Sequence, residues 1–357
     1  MDKFSAPTWL APRSVWNSNS TRWTCFIALS IISLALIWNI SSPALSPPDD
    51  GASADYDKTV LTYIPPLGLG TWQLPKDKAP GIVQRALENG YRHIDAALVY
   101  GNEKEVGQGI SAAKLPRSSF WVTSKLWNDA HKPAAVRPAL ETTLHDLGLE
   151  YLDLYLMHWP VSFKPGTGSK IVLDNVPILE TWWEMESLVR DGLVRQIGVS
   201  NFNQAQVEQL LRHARIRPTV HEFETHPFLQ QQEFVDWNLE QGLRVIAYSP
   251  LGNMNPIYQS SATPLLDDPF LSEMANKKGI TVAQLVLAWN MHRGVIVIPK
   301  SDHGERVLEN FQAQSIVLTE EEVQAISSND RKTRFSNPTD MWGTGTTLYA
   351  GLDGVDW

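Results

Sequence analysis

The sequence predicts an α/β protein, a (β/α)8 TIM barrel preceded by a single transmembrane helix. Three observations carry this expectation. An uncharged apolar stretch lies near the N-terminus, short apolar runs alternate with amphipathic stretches over the rest of the chain, and the length remaining suits one barrel. Such a barrel takes roughly 250 residues as a single unit, and the chain has 357. With 43% hydrophobic and 19% charged residues, the composition is that of a folded protein with a large core. A formal net charge of -9 and the lack of any Lys/Arg run leave no basic face for nucleic acid. No nucleic-acid partner is expected, and the chain reads as a monomer. The one cysteine, Cys25, falls in the apolar stretch, so the remainder has no disulfide, thiolate metal site or cysteine nucleophile.

In chain order, residues 1–22 form a polar segment and 23–40 an apolar run without charge, flanked by Trp23 and Trp38. About 20 such residues cross a bilayer, and indole rings favour its boundaries. A cleaved signal has an apolar region of about 7–15 residues after a short basic start. Here 22 residues precede the run, which favours an uncleaved anchor and a lipid-bilayer partner. Which side of the membrane the barrel faces stays open. Lys3, Arg13 and Arg22 before the run, against Asp49, Asp50, Asp55 and Asp57 after it, place the barrel on the lumenal side. Weakly against this, no Asn-x-Ser/Thr acceptor with x other than Pro follows Asn39-Ile40-Ser41. Residues 41–57, rich in Ser, Pro, Ala and Asp, read as a linker. A barrel over 58–334 and a tail over 335–357 complete the chain.

Eight candidate strands follow, at 67–70, 93–95, 121–126, 152–158, 194–199, 219–224, 243–248 and 295–298. Helical patterns separate them, for example at 134–147, 178–190 and 230–241. Eight strands with intervening helices close into a barrel rather than an open, doubly wound sheet.

On this fold the reactive groups come from the C-terminal ends of the strands and the loops after them. Asp95 ends the second strand, Tyr100 follows five residues later, Lys125 closes the third strand and His158 ends the fourth. Taken singly, these read as a loop cap, a rim aromatic, a solvated lysine and a satisfied imidazole. Together they suggest one site: a lysine ammonium favours ionisation of the Tyr100 phenol, Asp95 balances the lysine, and His158 orients a carbonyl. A metal site is the weaker reading, because lysine is not a usual ligand and no second His or carboxylate stands at metal spacing beside His158.

At these residues the chain resembles the aldo-keto reductases, over nearly all of 61–334. Eight segments occur in the family's order: Gly-Leu-Gly-Thr-Trp-Gln (68–73), Gly-Tyr-Arg-His-Ile-Asp (90–95), Val-Tyr-Gly-Asn-Glu (99–103), Thr-Ser-Lys-Leu-Trp (123–127), Leu-Tyr-Leu-Met-His-Trp-Pro (154–160), Ile-Gly-Val-Ser-Asn-Phe (197–202), Ala-Tyr-Ser-Pro-Leu-Gly (247–252) and Ile-Pro-Lys-Ser (298–301). The resemblance implies a barrel that binds NADPH and a catalytic set of Asp95, Tyr100, Lys125 and His158. It further implies that Ser200, Asn201 and Glu222 meet the nicotinamide carboxamide. Tyr248 would stack on the nicotinamide ring, with Ser249 and Leu251 beside it. Lys300, Ser301, Arg306, Glu309 and Asn310 would grip the adenosine end, where Lys300 and Arg306 suit a 2′-phosphate. Without the family, Lys300 and Arg306 are an ordinary solvated rim. The chain departs from the family at His221-Glu222, where Asn-Gln is usual. An ionised Glu222 only accepts, so one hydrogen bond to the carboxamide would be lost.

Trp72, Trp127 and Trp159, with His158, would line the substrate pocket, and Trp342 from the tail is a candidate to join them. An aromatic pocket suits a hydrophobic aldehyde or ketone. The expected reaction is NADPH-dependent reduction of a small-molecule carbonyl. NADP-dependent alcohol oxidation and a catalytically silent cofactor-binding barrel are the alternatives.

Overall fold

The computed structural model describes residues 63–167, 171–252, 257 and 263–344. The apolar run at 23–40, the linker and the end of the tail lie outside them. The expectation of a transmembrane helix, and with it of a membrane location and a bilayer partner, is corrected. Among the described residues no helix is long and apolar enough to cross a membrane. The longest, Pro133–Leu147, has 15 residues and turns one apolar face inward, short of the roughly 20 that a bilayer requires.

Eight parallel strands run in chain order: β1 (Leu69–Gly70), β2 (His93–Asp95), β3 (Trp121–Leu126), β4 (Leu152–Met157), β5 (Val194–Ser200), β6 (Val220–Glu224), β7 (Arg244–Tyr248) and β8 (Ile296–Val297). Backbone hydrogen bonds from Gly68 N to Val297 O, 2.8 Å, and from Val297 N to Pro66 O, 2.9 Å, join the last strand to the first and close the barrel. The seam is tight. A Cβ on Gly70 would stand 2.7 Å from the Ile298 carbonyl oxygen, so only glycine lets the backbones approach there.

The strands were readable because a parallel strand is covered on both faces and so appears as an unbroken apolar run. All six residues of β3 and all six of β4 are buried. Trp121, Leu154, Leu156, Val220, Ile246, Ile296 and Ile298 fill the barrel interior with Ile64. A larger cluster joins the outer strand faces to the helices.

Helices α1 (Ala79–Glu88), α2 (Glu103–Ala113), α3 (Pro133–Leu147), α4 (Ile178–Arg190), α5 (Gln204–His213) and α6 (Gln232–Glu240) follow the first six strands. α7 (Pro269–Lys278) and α8 (Val282–His292) follow β7, and α9 (Gly304–Gln312) follows β8. Several starts are set locally. Asn203 with Gln206, and Thr281 with Gln284, form reciprocal caps, each worth about 1 kcal/mol.

The two barrel ends differ in kind. At the N-terminal end Asp153 accepts from Arg117 Nη2 at 2.6 Å and Arg195 Nη1 at 3.0 Å, an ion cluster that ties strands together. At the C-terminal end the loops are longer. One carries a two-stranded antiparallel hairpin, Ser162–Phe163 with Leu173–Asp174. The chain after α10 (Glu320–Ser327) returns to this end and finishes in α11 (Thr339–Trp342).

Glu224 holds that return. Its carboxylate accepts from Phe335 N at 2.8 Å, Ser336 N at 3.0 Å and His226 Nε2 at 2.9 Å, with Arg334 Nη1 at 3.4 Å. Burial alone would raise the Glu224 carboxyl, but His226, Arg334 and the Phe335 amide hold it below the usual range.

Candidate active site

A cleft of about 1010 Å3 opens at the C-terminal end of the barrel. Asp95, Tyr100, His158, Asn201, Glu222, Tyr248, Ser249 and Leu251 line it, as do Lys300, Ser301, Arg306, Glu309 and Asn310 and all four tryptophans expected there, Trp72, Trp127, Trp159 and Trp342. Two expected residues stand behind the wall. Lys125 is fully buried under Asp95 and Tyr100, and Ser200, also fully buried, accepts from Asn201 Nδ2 at 2.9 Å.

The β-strand register explains this gathering. Asp95, Lys125, Ser200 and Glu222 point inward near the top of β2, β3, β5 and β6. Tyr100 is brought over them by a short 3-10 turn, Leu98–Tyr100, closed by Gly101 in the left-handed region at φ 68.

Lys125 is the centre of charge. Its Nζ lies 2.5 Å from Asp95 Oδ1, 3.1 Å from the Ala96 carbonyl oxygen and 3.4 Å from Glu222 Oε1. It also sits 5.3 Å from the centroid of the Tyr100 ring. Burial would drive the ammonium toward neutrality, but Asp95, Glu222 and Tyr100 together outweigh it, and the Lys125 pKa is raised. Lys125 is therefore a buried cation.

Tyr100 responds to two opposed influences. Burial pushes its phenol up, and Lys125 pulls it down. Burial prevails, so the expectation of a phenol made more acidic by the lysine describes only the opposing part. Burial also drives His158 well below its ordinary value, with Lys125 and His131 acting in the same direction, so the imidazole is neutral. Its ring stands edge to face with Tyr100 at 5.9 Å and with Trp127 at 5.2 Å.

Glu222 departs from expectation. Burial, and then the charge of Asp95, push its carboxyl well above the usual range, against the pull of Lys125. The picture of an ordinary ionised acceptor is corrected accordingly. The environment is a closed one in which Glu222 is 1% exposed, and a lone carboxylate loses its hydration there.

Further along the cleft, Asn201 adopts φ 61, its Nδ2 donates to the His158 carbonyl oxygen at 3.0 Å, and its Oδ1 accepts from Tyr248 Oη at 2.7 Å. The amide is thus fixed in one orientation, with the half-buried Tyr248 ring beside it. At the far rim Lys300 and Arg306 are exposed cations. Asp302, which the sequence reading left out, also lines the rim. It accepts from Lys78 Nζ at 2.7 Å and lies 3.9 Å from Lys300 Nζ. Thr281 was missed as well. It donates to Glu309 Oε1 at 2.8 Å and so orients that carboxylate. Neither residue sits at the end of a strand, where sequence reasoning looks first.

Trp342 completes an aromatic wall. Its ring lies 4.8 Å from Trp159, 5.9 Å from Trp127 and 5.3 Å from Phe163, all edge to face. Among the described residues, no group of three or more His, Cys, Asp or Glu side chains is placed to hold a metal ion.

Behind the cleft, Glu103 opens α2 and is 2% exposed, accepting from Ser124 Oγ at 2.6 Å. Burial raises its carboxyl from 4.5 to about 7, against the hydrogen bond from Ser124. A carboxyl raised on folding binds more protons in the folded chain, so its contribution is favourable below its unfolded pKa and is lost as pH rises through about 7. Glu103→Gln should therefore flatten the fall in stability across this window by up to about 3 kcal/mol. Urea midpoints measured across the window test this, and equal pH slopes for the two proteins would sink it.

Comparison with known proteins agrees with this geometry. The model of the Aldo/keto reductase family matches residues 66–331. An uncharacterised oxidoreductase of Schizosaccharomyces pombe is 46% identical over 299 residues, covering 81% of this chain and 92% of that protein. Aldo-keto reductase family 1 member A1 of Homo sapiens is 41% identical over 288 residues, covering 77% and 89%. Among solved structures, the aldose reductase of Schistosoma japonicum is similar with a TM-score of 0.74 at 39% identity, covering 82% of this chain and 96% of that one. The matched span contains all eight strands and every strand-end residue of the cleft, and the chain belongs to the aldo/keto reductase family of oxidoreductases.

Proposed function

We propose that the protein reduces an aldehyde or ketone to an alcohol with NADPH, and that Tyr100 delivers the proton. The observation that carries this reading is the buried Lys125–Asp95 pair directly beneath the Tyr100 ring, with a neutral His158 facing the same point.

The cleft suits the cofactor chemically. Near the barrel axis it offers an oriented amide at Asn201, a buried Glu222 oxygen without a donor, and the Tyr248 ring. Ser200 holds Asn201 from behind, and Ser249 and Leu251 continue the wall. The exposed cations Lys300 and Arg306 line the same cleft with Ser301, Glu309 and Asn310, and two cations suit a phosphorylated adenosine. NADPH bound along this path would supply the hydride.

The side chains then divide the remaining work. His158, neutral, donates a hydrogen bond to the substrate carbonyl and fixes its direction. Tyr100 gives its proton to the oxygen as negative charge develops there, and Lys125 stabilises the tyrosinate left behind. Asp95 acts through Lys125, holding the ammonium under the ring. Trp72, Trp127, Trp159 and Trp342 form an apolar aromatic wall, which favours hydrophobic carbonyls over charged ones.

Loss of NADPH absorbance with a panel of aliphatic and aromatic aldehydes and ketones tests the reading. No turnover of any member would refute it. For the cofactor end, Lys300→Ala should weaken NADPH by about tenfold or more and leave NADH nearly unchanged, because the 2′-phosphate alone distinguishes them. Equal losses in the two dissociation constants would show that Lys300 does not meet that group.

A further inference from the structure

Asp95 on β2, Lys125 on β3 and Glu222 on β6 form a buried triad with two acids and one base. Each of the three is at most 1% exposed. The other titratable groups near it bring no positive charge: burial holds His93 of β2 neutral, and Glu103 at the start of α2 is a further carboxyl. Tyr100, from the turn after β2, is neutral, and His158, after β4, is held neutral by its burial. Two carboxylates on one ammonium would leave an uncompensated negative charge inside the barrel, which is costly.

The hydrogen bonding points the same way. Asp95 Oδ2 and Glu222 Oε2 are both buried without a hydrogen-bond partner, while Asp95 Oδ1 and Glu222 Oε1 close on the same ammonium at 2.5 Å and 3.4 Å. Two ionised carboxylates only accept and repel each other, so a proton on one of them relieves their crowding around a single buried cation. Asp95 already takes the short bond from Lys125, and Glu222 stands farther off at 3.4 Å, so the proton belongs to Glu222.

We propose that Glu222 is a neutral acid beside Asp95, and that its ionisation next to the nicotinamide makes the protein distinguish oxidised from reduced cofactor in a pH-dependent manner. The second part rests on the nicotinamide lying against Asn201, Tyr248 and Glu222. Oxidised nicotinamide carries a positive charge that the reduced ring lacks. Ionised Glu222 therefore favours NADP+, whereas neutral Glu222 does not discriminate by charge. By linkage, NADP+ lowers the pKa of Glu222 relative to its value in the NADPH complex. A carboxamide at this position has no such charge to change.

Two measurements test this on the full chain and on Glu222→Gln. In the first, dissociation constants of NADP+ and NADPH are measured from about pH 6 to about pH 9. The native ratio Kd(NADP+)/Kd(NADPH) should fall with rising pH, by about tenfold for each pKa unit separating the two complexes. The ratio for Glu222→Gln should stay flat. Titration of the 2′-phosphate occurs in both ligands and cancels. In the second, the infrared difference spectrum of native minus Glu222→Gln at neutral pH, without cofactor, should contain the carbonyl stretch of a protonated carboxylic acid.

A pH-independent native ratio, or an equal slope in the variant, overturns the cofactor discrimination. A difference spectrum without the acid band overturns the neutral Glu222. If neither protein binds either nucleotide, the nicotinamide reading fails and the discrimination with it.

Discussion

Tyr100→Phe is expected to lower kcat for carbonyl reduction by about a hundredfold to ten-thousandfold while leaving the NADPH dissociation constant within about twofold. The ring remains to pack against His158 and to cover Lys125, so the loss is confined to the proton. Stopped-flow binding and steady-state turnover on the same preparation separate the two effects. Retention of most of the turnover would remove Tyr100 from the mechanism. A matching loss of NADPH affinity would instead show that the hydroxyl holds the cofactor.

Glu224→Ala should destabilise the protein by about 3–5 kcal/mol, the usual cost of stripping one partner from a buried ion pair. The Arg334 side chain is 2% exposed in that pair, and the amides of Phe335 and Ser336 lose their acceptor as well. Since these residues begin the segment that carries Trp342 to Trp127 and Trp159, the loss should reach the cleft. KM for bulky apolar carbonyls should rise more than kcat falls, and trypsin should cut at Arg331, Lys332 or Arg334 sooner than in the native chain. An unchanged urea midpoint together with unchanged trypsin resistance would refute the anchoring role.

The two expectations differ in how far the sequence supported them. Asp95, Tyr100, Lys125 and His158 were recognisable because each lies at or just past the end of a strand, and parallel strands are conspicuous as apolar runs. Asn201 and Tyr248 came instead from the family resemblance. The strand-end rule did not find Glu224 as a tether, although Glu224 also ends a strand, since Arg334, Phe335 and Ser336 lie 110 or more residues later in a segment without periodic pattern. Thr281 and Asp302 escaped for a related reason: they are brought to the rim by the packing of α8 and α9.

By itself the sequence determined the barrel, its eight strands and the residues at the cleft mouth. These depend on local chemistry: apolar period and position along each βα unit. Tertiary structure alone decided the states of those residues. Whether Glu222 is charged or neutral depends on Asp95 and Lys125 arriving from two other strands around a side chain that is almost wholly buried. The direction of the Tyr100 shift is likewise a contest between burial and the Lys125 charge. Trp342 reaches the pocket from the segment whose first amides are bound by Glu224, a pairing between distant parts of the chain. Desolvation and the distances between distant charges are properties of the folded volume, and a linear pattern of residue types does not contain them.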